Sequence, residues 1–407
     1  MNSGDTAFVL VSAALVLLMT PGLALFYGGM VRSKNILNTL MQNYIIIALI
    51  GVQWAIFGYS LAFGPDTGFG FIGDLSYLGL QGVSAEPFKT YSETIPHQVF
   101  MVYQAMFAII TPALIIGSWV ERFKFTTFLV FTVLWATLVY DPVAHWVWGD
   151  GGWLKGLGAL DFAGGTVVHI NAGIAALAAA LVIGKRKGYG TDAMIPHNLP
   201  MTVLGAGILW FGWFGFNAGS ALAANGLAGV AFVNTHFATC GAALGWMIVE
   251  WLVRGKPTML GVASGAVAGL VAITPAAGFV GPMSAIIIGV LAGFFCYMAV
   301  LIKPKLGYDD SLDVVGVHMV GGLWGALATG LFASKAVNDA GADGLFFGNA
   351  AQFGIQVIAV GATLVYSFVI SLILFKILDA TMGLRVKADE EETGLDLAEH
   401  QETGYSL

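Results

Sequence analysis

Long, unbroken apolar runs constrain this chain more than any other feature. Eleven of them punctuate its 407 residues, at about 6–31, 41–63, 98–120, 126–146, 162–184, 199–218, 223–252, 259–277, 281–302, 312–334 and 350–379. A helix needs about 20 apolar residues to cross the hydrocarbon core of a bilayer, and the runs match that length. Within lipid only helices and closed barrels satisfy their own backbone. The runs are continuous and do not alternate in period two, so a barrel is excluded. Only 10% of the residues are charged and 57% are hydrophobic, whereas a soluble domain carries about 25% charge. A disordered chain, a disulfide-stapled secreted domain, a nucleic-acid binder and an ordinary cytosolic enzyme are all excluded. The expected fold is an all-α polytopic membrane protein that meets lipid over much of its surface. Cys240 and Cys296 fall inside apolar runs and read as buried thiols. The first run follows Asp5, lacks a basic leader and exceeds signal length, so it reads as a span and not as a secretory signal.

Orientation follows from the basic residues. Arg32, Lys34, Arg122, Lys124, Lys185, Arg186, Lys187, Arg254, Lys256, Lys303, Lys305, Arg385 and Lys387 fall on one side of the spans. Only Lys89, Lys155 and Lys335 fall on the other, and Lys376 sits near the inner end of the last span. This bias puts the C-terminus in the cytoplasm, and an odd span count puts the N-terminus outside. Residues 1–379 form the membrane domain. Residues 380–407 form a hydrophilic tail with seven acidic residues (Asp389, Glu390, Glu391, Glu392, Asp396, Glu399 and Glu402). Such a tail is either merely solvated or a docking segment for a soluble partner.

The fifth and tenth runs open alike. DFAGGTVVH places Asp161 eight residues before His169, and DSLDVVGVH places Asp310 eight residues before His318. Small residues follow at matching offsets: Ala172, Gly173 and Ala176 against Gly321, Gly322 and Gly325. Five spans separate the copies, so they run in opposite directions. That is an inverted five-helix repeat, about 6–184 and 199–334, with the last helix at 350–379 outside it. Such repeats put a substrate path at their interface near the midplane.

Ionisable groups inside a membrane cost about 2.5–3.5 kcal/mol on the gentlest scale, so they are read as functional. His169 and His318, each most of two turns into its helix, would meet across the repeat axis. They would share a proton between ring nitrogens and offer hydrogen bonds to a small polar molecule without a fixed charge. Two independently satisfied core histidines are the bland alternative, which the repeated spacing disfavours. Asp310 reads as a helix N-cap. For Asp161 a cap and a cation-attracting role at the pore mouth are equally open. Phe107, Trp146, Trp148, Trp213, Phe214 and Phe216 cluster near outer span ends, where an interfacial aromatic belt accounts for most of the tryptophans. Phe216-Asn217-Ala218-Gly219-Ser220 differs, because it sets polar groups beside a ring face, as a shallow cation site requires. No phosphate-binding loop, HExxH motif, metal-ligand spacing or nucleophile with triad partners occurs. These absences leave no cofactor, metal or catalytic residue to name, and an intramembrane hydrolase lacks its nucleophile.

Here the chain resembles the ammonium transporter family (Amt, with the related Rh proteins), in its bacterial Amt branch. DFAGGTVVHINAGIAAL followed by IGKR carries the resemblance most strongly. PHNLP, WFGWFGFNAGS, AFVNT, RGKP, GLVAITPAAG and DVVGVH follow in the family's order. GLALFYGGMVRSKN near the start, and GLRV and ETGLDLAEH in the tail, extend it over nearly the whole chain. The resemblance implies a homotrimer of eleven-span protomers, each with a narrow hydrophobic pore. It implies that His169 and His318 are twin pore histidines, with Trp213 beside them, and that Phe107 and Phe216 form a stacked phenyl gate. Trp148 and Ser220, with Phe107, resemble an outer ammonium-recruiting site, and Asp161 resembles the acidic residue required near it. Trp148 favours Amt over Rh. Asp141, in LVYDPVAHW, departs from the family pattern near the outer mouth. A PII-type signal protein at the cytoplasmic face and tail is an implied partner.

The function expected is therefore passage of ammonium or ammonia across the cytoplasmic (inner) membrane. The cation would be recruited and deprotonated at the outer mouth, because a dry lumen disfavours charge. An ammonium sensor acting through a bound PII-type partner and a neutral ammonia channel of Rh type stay open beside it.

Overall fold

The computed structural model describes residues 1–405, so Ser406 and Leu407, the end of the expected tail, lie outside the described residues. Ten helices are long and apolar enough to cross a membrane: α1 (Ser3–Met30), α2 (Ser33–Phe63), α3 (His97–Ser118), α4 (Phe125–Leu157), α5 (Gly165–Ile183), α6 (Leu199–Gly219), α7 (Gly226–Arg254), α9 (Pro282–Leu306), α10 (Val315–Phe332) and α11 (Ala350–Thr381). α8 (Met259–Ile273) is apolar but shorter. It stops ahead of the expected 277 at Pro275, which has no backbone N–H with which to extend the helix ladder. α4 is interrupted by a turn at 149–152. Beyond the spans, a short antiparallel pair, Pro87–Phe88 with Ser92–Pro96, sits in the longest loop. The tail carries α12 (Ala388–Thr393) and α13 (Leu395–His400).

With no hydrophobic drive between helices in lipid, close approach depends on small residues. A Cβ added at Gly205 of α6 would strike the backbone of Phe26 in α1, and one at Gly289 of α9 would strike Ala238 in α7. α5 and α10 cross by the same device, used reciprocally. Gly173 has no room for a Cβ because the Met319 backbone fills it, and Gly322 abuts His169 and the Gly165 carbonyl. Each of these glycines lies four residues after a histidine, so the two copies pack on each other in the same way.

Four segments are wound as π-helix: Trp54–Gly58, Ala136–Tyr140, Gly165–Ile170 and Val315–Met319. π-turns concentrate where a side chain must be re-aimed, and the last two hold His169 and His318. The histidines therefore lie about one turn into their helices, short of the expected two, because residues 161–164 and 310–314 are mostly not yet helical.

Burial corrects two other expectations. Trp54, Trp119, Trp135, Trp146, Trp213 and Trp246 are buried within the chain, so an interfacial belt does not account for most of the tryptophans. The indole N–H groups of Trp54, Trp119, Trp135, Trp146 and Trp213 find internal acceptors, as for Trp119 with Gln42 at 3.1 Å and Trp135 with Ser371 at 2.9 Å. Cys296 is buried as expected, but Cys240 is only half-buried, with its sulfur 3.7 Å from the His236 ring.

The two ends of the bundle are tied differently. At one end the fully buried Arg122 donates to the carbonyls of Ser118, Gly184 and Asp309 and to Ser311. Arg186 grips Asp309 through two bonds of 2.9 Å, and Arg32 pairs with Glu121. This network joins the ends of α1, α3, α5 and the α9–α10 connection, all on the basic side. At the other end the buried His145 of α4 bonds the Ala62 carbonyl at 3.0 Å and Asp66 at 3.1 Å, pinning the long loop to the bundle.

Burial alone would push the Asp309 carboxyl up, but the Arg186 and Arg122 guanidiniums outweigh it and hold the group below its ordinary 3.8. A depressed carboxyl contributes stability that is present above the unfolded-state value and is lost as pH falls through the lower folded value. Asp309→Asn is therefore expected to lower the melting temperature in detergent at pH 7. The gap to wild type should shrink as pH falls towards 3, and a gap independent of pH would count against the ion pair as its source.

Candidate functional site

The site is built on the turn that opens α5. The Asp161 carboxylate accepts from the backbone amides of Gly164, Gly165, Thr166 and Val167 at 2.6–3.2 Å, and from the Thr166 hydroxyl. Gly164 closes this nest at φ 117°, a conformation that only glycine adopts freely. Both carboxylate oxygens are spent on the chain's own amides, and the group does not line the cavity described below. Of the two roles left open for Asp161, the geometry shows the cap. Its carbonyl accepts from the Trp148 indole at 2.9 Å, which fixes that ring. Asp310 does the same in the second copy, accepting from the Val315 amide at 2.7 Å. Both aspartates reach the amide five residues on.

Above this turn lies an open cavity of about 190 Å³. It brings together Phe107, Trp148 and Ser220, three of the residues singled out in the sequence, with Phe63, Tyr91, Phe100, Gln104 and Lys155. Trp148 stands edge-on to Phe107, with ring centres 5.9 Å apart. Ser220 donates to the Phe216 carbonyl at 2.8 Å, and its oxygen lies 3.2 Å from the Tyr103 hydroxyl. The Gln104 side-chain oxygen has no partner. Tyr103, Gln104 and Lys155 were not singled out in the sequence. Tyr103 and Gln104 lie one turn before Phe107 on the same helix, a spacing that would have found them.

Phe107, which lines the cavity, packs against Phe216, which lines the space below it, with their centroids 4.3 Å apart. Below them is a second space of only about 10 Å³, lined by Met19, Leu23, Ile110, Leu114, Val168, Leu209, Trp213, Val267 and the two histidines. The imidazoles are buried and face each other, Nδ1 to Nδ1, at 3.3 Å. One Nδ1–H must donate to the other ring's lone pair, which leaves one Nε2 as a donor and the other as an acceptor. The Nε2 of His169 has no partner among the described residues. Trp213 lies flat against His169 at 5.4 Å and spends its N–H on Thr274 at 2.9 Å, so it backs the pair deep in the bundle. It lies deeper than the outer span ends where the aromatic cluster is expected, in the lining of the small space that holds the histidines.

Asp141 is also displaced from its expected setting. It is fully buried where the π-turn of α4 resumes as α-helix, away from the cavity, and accepts from Gln53 at 2.8 Å. It does not line the outer cavity.

An open aromatic cup, a packed pair of phenyl rings and a narrow apolar space lined by two facing imidazoles make up the site. The chain matches the model of the Ammonium Transporter Family over residues 7–405. It is 55% identical to the ammonium transporter of Bacillus subtilis, over all of this chain and 99% of that one. It is 48% identical to the ammonium transporter Amt1 of Archaeoglobus fulgidus, over the full length of both. Among solved structures, Saccharomyces cerevisiae Mep2 superposes with a TM-score of 0.89 at 37% identity, covering 96% of this chain and 88% of that one. A structure described as a sensor Amt protein superposes with a TM-score of 0.89 at 30% identity, over 98% of each chain. The chain belongs to the ammonium transporter family.

If Asp161 acts as a cap, Asp161→Ala strands up to four buried amides. A lost cap costs about 0.5–2 kcal/mol, and stranded donors add to that. The melting temperature in detergent should fall, and Asp161→Asn should recover part of the loss. Wild-type melting in Asp161→Ala would refute the assignment.

Proposed function

We propose that this protein carries ammonium or ammonia across the cytoplasmic membrane, with its N-terminus outside and its C-terminus inside. The observation that carries the reading is the adjacency of two unlike compartments. An aromatic, hydroxyl-bearing cup suited to a cation opens onto a dry constriction suited to a neutral molecule. Potassium and ammonium match in charge and nearly in size, so a sieve cannot separate them. Ammonium differs in donating directional hydrogen bonds and in being able to lose a proton. The faces of Phe107 and Trp148 and the Ser220 oxygen recruit the cation, with cation–π attraction of about 0.5–2 kcal/mol. Entry past Phe107 and Phe216 then strips water, which disfavours the charged form. Ammonia passes, hydrogen-bonding to His169 and His318. Potassium has no neutral form and is turned back.

The test is an ammonium concentration jump on proteoliposomes, reading both current and internal pH, with potassium and sodium jumps as controls. A sustained ammonium-specific current, or an alkaline shift inside without one, supports transport. Silence in both readouts overturns it in favour of a sensor. His169→Leu and His318→Leu keep the lumen apolar and of similar bulk, and should reduce ammonium passage at least tenfold. Wild-type flux in both would remove the histidines from the path.

The tail favours a regulatory partner. α13 docks on α2, where the Asn38 amide donates to Asp396 at 2.9 Å and the Leu395 amide donates to Asn35. Arg385 grips Glu391, which also accepts from the Lys187 amide at 2.7 Å. An acidic segment folded onto the inner mouth of a homotrimer is a fit place for a PII-type protein to dock. Removing residues 388–407 should abolish pull-down of PII while the melting profile stays cooperative. Undiminished binding would locate that partner elsewhere or exclude it.

A further inference from the structure

We infer that Lys155 is a tethered ammonium group that competes with the incoming cation for the outer cavity and so raises the concentration at which transport half-saturates. This rests on the transport reading above. Lys155 follows the turn that interrupts α4, and it lines the same cavity as Phe107, Trp148 and Ser220. Its Nζ donates to the Trp148 carbonyl at 3.3 Å and stands 5.6 Å from the centre of the Tyr91 ring. That ring is held flat on Phe100, with centroids 4.6 Å apart at 4°. A carbonyl oxygen and an aromatic face are the partners that a free ammonium ion would also use here. The lysine head is the same chemical group on a leash.

The charge of Lys155 is not cancelled on the spot. Asp150 is the carboxylate whose field it feels, and no ion pair joins them among the described residues. Asp150 instead donates its amide to the Tyr91 hydroxyl at 3.0 Å. A cation entering the cup therefore meets a like charge within the same space. Two unit charges about 7 Å apart, in water or at half its dielectric constant, repel enough to weaken binding about two- to tenfold. A shallow site releases its cation to the gate more readily than a deep one, so the repulsion works with transport.

The experiment measures ammonium-evoked currents in proteoliposomes over a concentration series, for wild type, Lys155→Met, Lys155→Gln and Lys155→Arg. Ionic strength is varied with N-methylglucamine chloride. Half-saturation should fall two- to tenfold in the Met and Gln variants and hold the wild-type value in Arg. Raising ionic strength should lower half-saturation in wild type, by screening the repulsion, and should not do so in the Met variant. Unchanged half-saturation in the Met and Gln variants overturns the inference. So does an equal shift in Arg, which would mark a packing role on Tyr91. Absence of ammonium current from wild type would instead undo the transport reading itself, so the two failures are distinguishable.

Discussion

The 3.3 Å meeting of two imidazole nitrogens in the middle of an apolar bundle is the contact from which the rest of the site follows. It needs two helices to cross closer than ordinary side chains permit, hence Gly173 and Gly322 at the crossing. It needs each ring turned inward, hence the π-winding of both histidine-bearing turns. It also needs each helix to begin at a fixed height, hence an aspartate capping the first turn of each. Every one of these devices occurs twice, once in each direction of the chain. A hydrogen bond between two identical neutral rings suits that pseudo-symmetry, because either ring serves as donor.

The vestibule and the passage obey opposite demands, and the Phe107–Phe216 floor is where they meet. Above it, ring faces and oxygens are exposed to water, and a cation loses little by resting there. In the small space below it, the imidazoles of His169 and His318 are the polar groups that the apolar lining leaves available, since the Trp213 N–H is spent on Thr274. Burying an ion in so apolar a space would carry a penalty of several kcal/mol after relaxation. That exceeds what cation–π attraction supplies in the cup. On the transport reading proposed above, that balance requires a proton to leave before the nitrogen enters, and it puts selectivity in the contrast between compartments and not in the radius of either.

How much of this was legible beforehand depended on whether a signal was periodic or merely local. The spans announced themselves through length and hydropathy, because the bilayer imposes a nearly fixed thickness on helices. The Asp–His spacing was legible because it recurred. Asp161 was harder to place: a carboxylate before a glycine-rich turn suits a cap and a cation site alike, and only the four converging amides decide. Trp213 and Asp141 misled for a common reason. A position near the end of an apolar run suggests the interface, yet neighbouring helices bury that height completely. Lys155 and Gln104 were overlooked because cavities form between distant segments, which no local pattern records.

The ends of the bundle complete the logic of an asymmetric passage built from symmetric halves. On the basic side, guanidiniums clamp helix ends to carboxylates and carbonyls, and the tail adds a further layer through Glu391 and Asp396. That end holds a dense polar lattice over the helix termini. On the other side the connections are longer, and the loop is pinned by the His145 ring on Asp66, by the Trp146 indole on the Phe71 carbonyl and by the Asp150 amide on the Tyr91 hydroxyl. Aromatic side chains and one free cationic group surround an open cup there. The repeat fixes the shared centre, while the loops and tail, which lie outside it, make the two mouths unlike: one an open aromatic cup, the other a layer of ion pairs under an acidic tail.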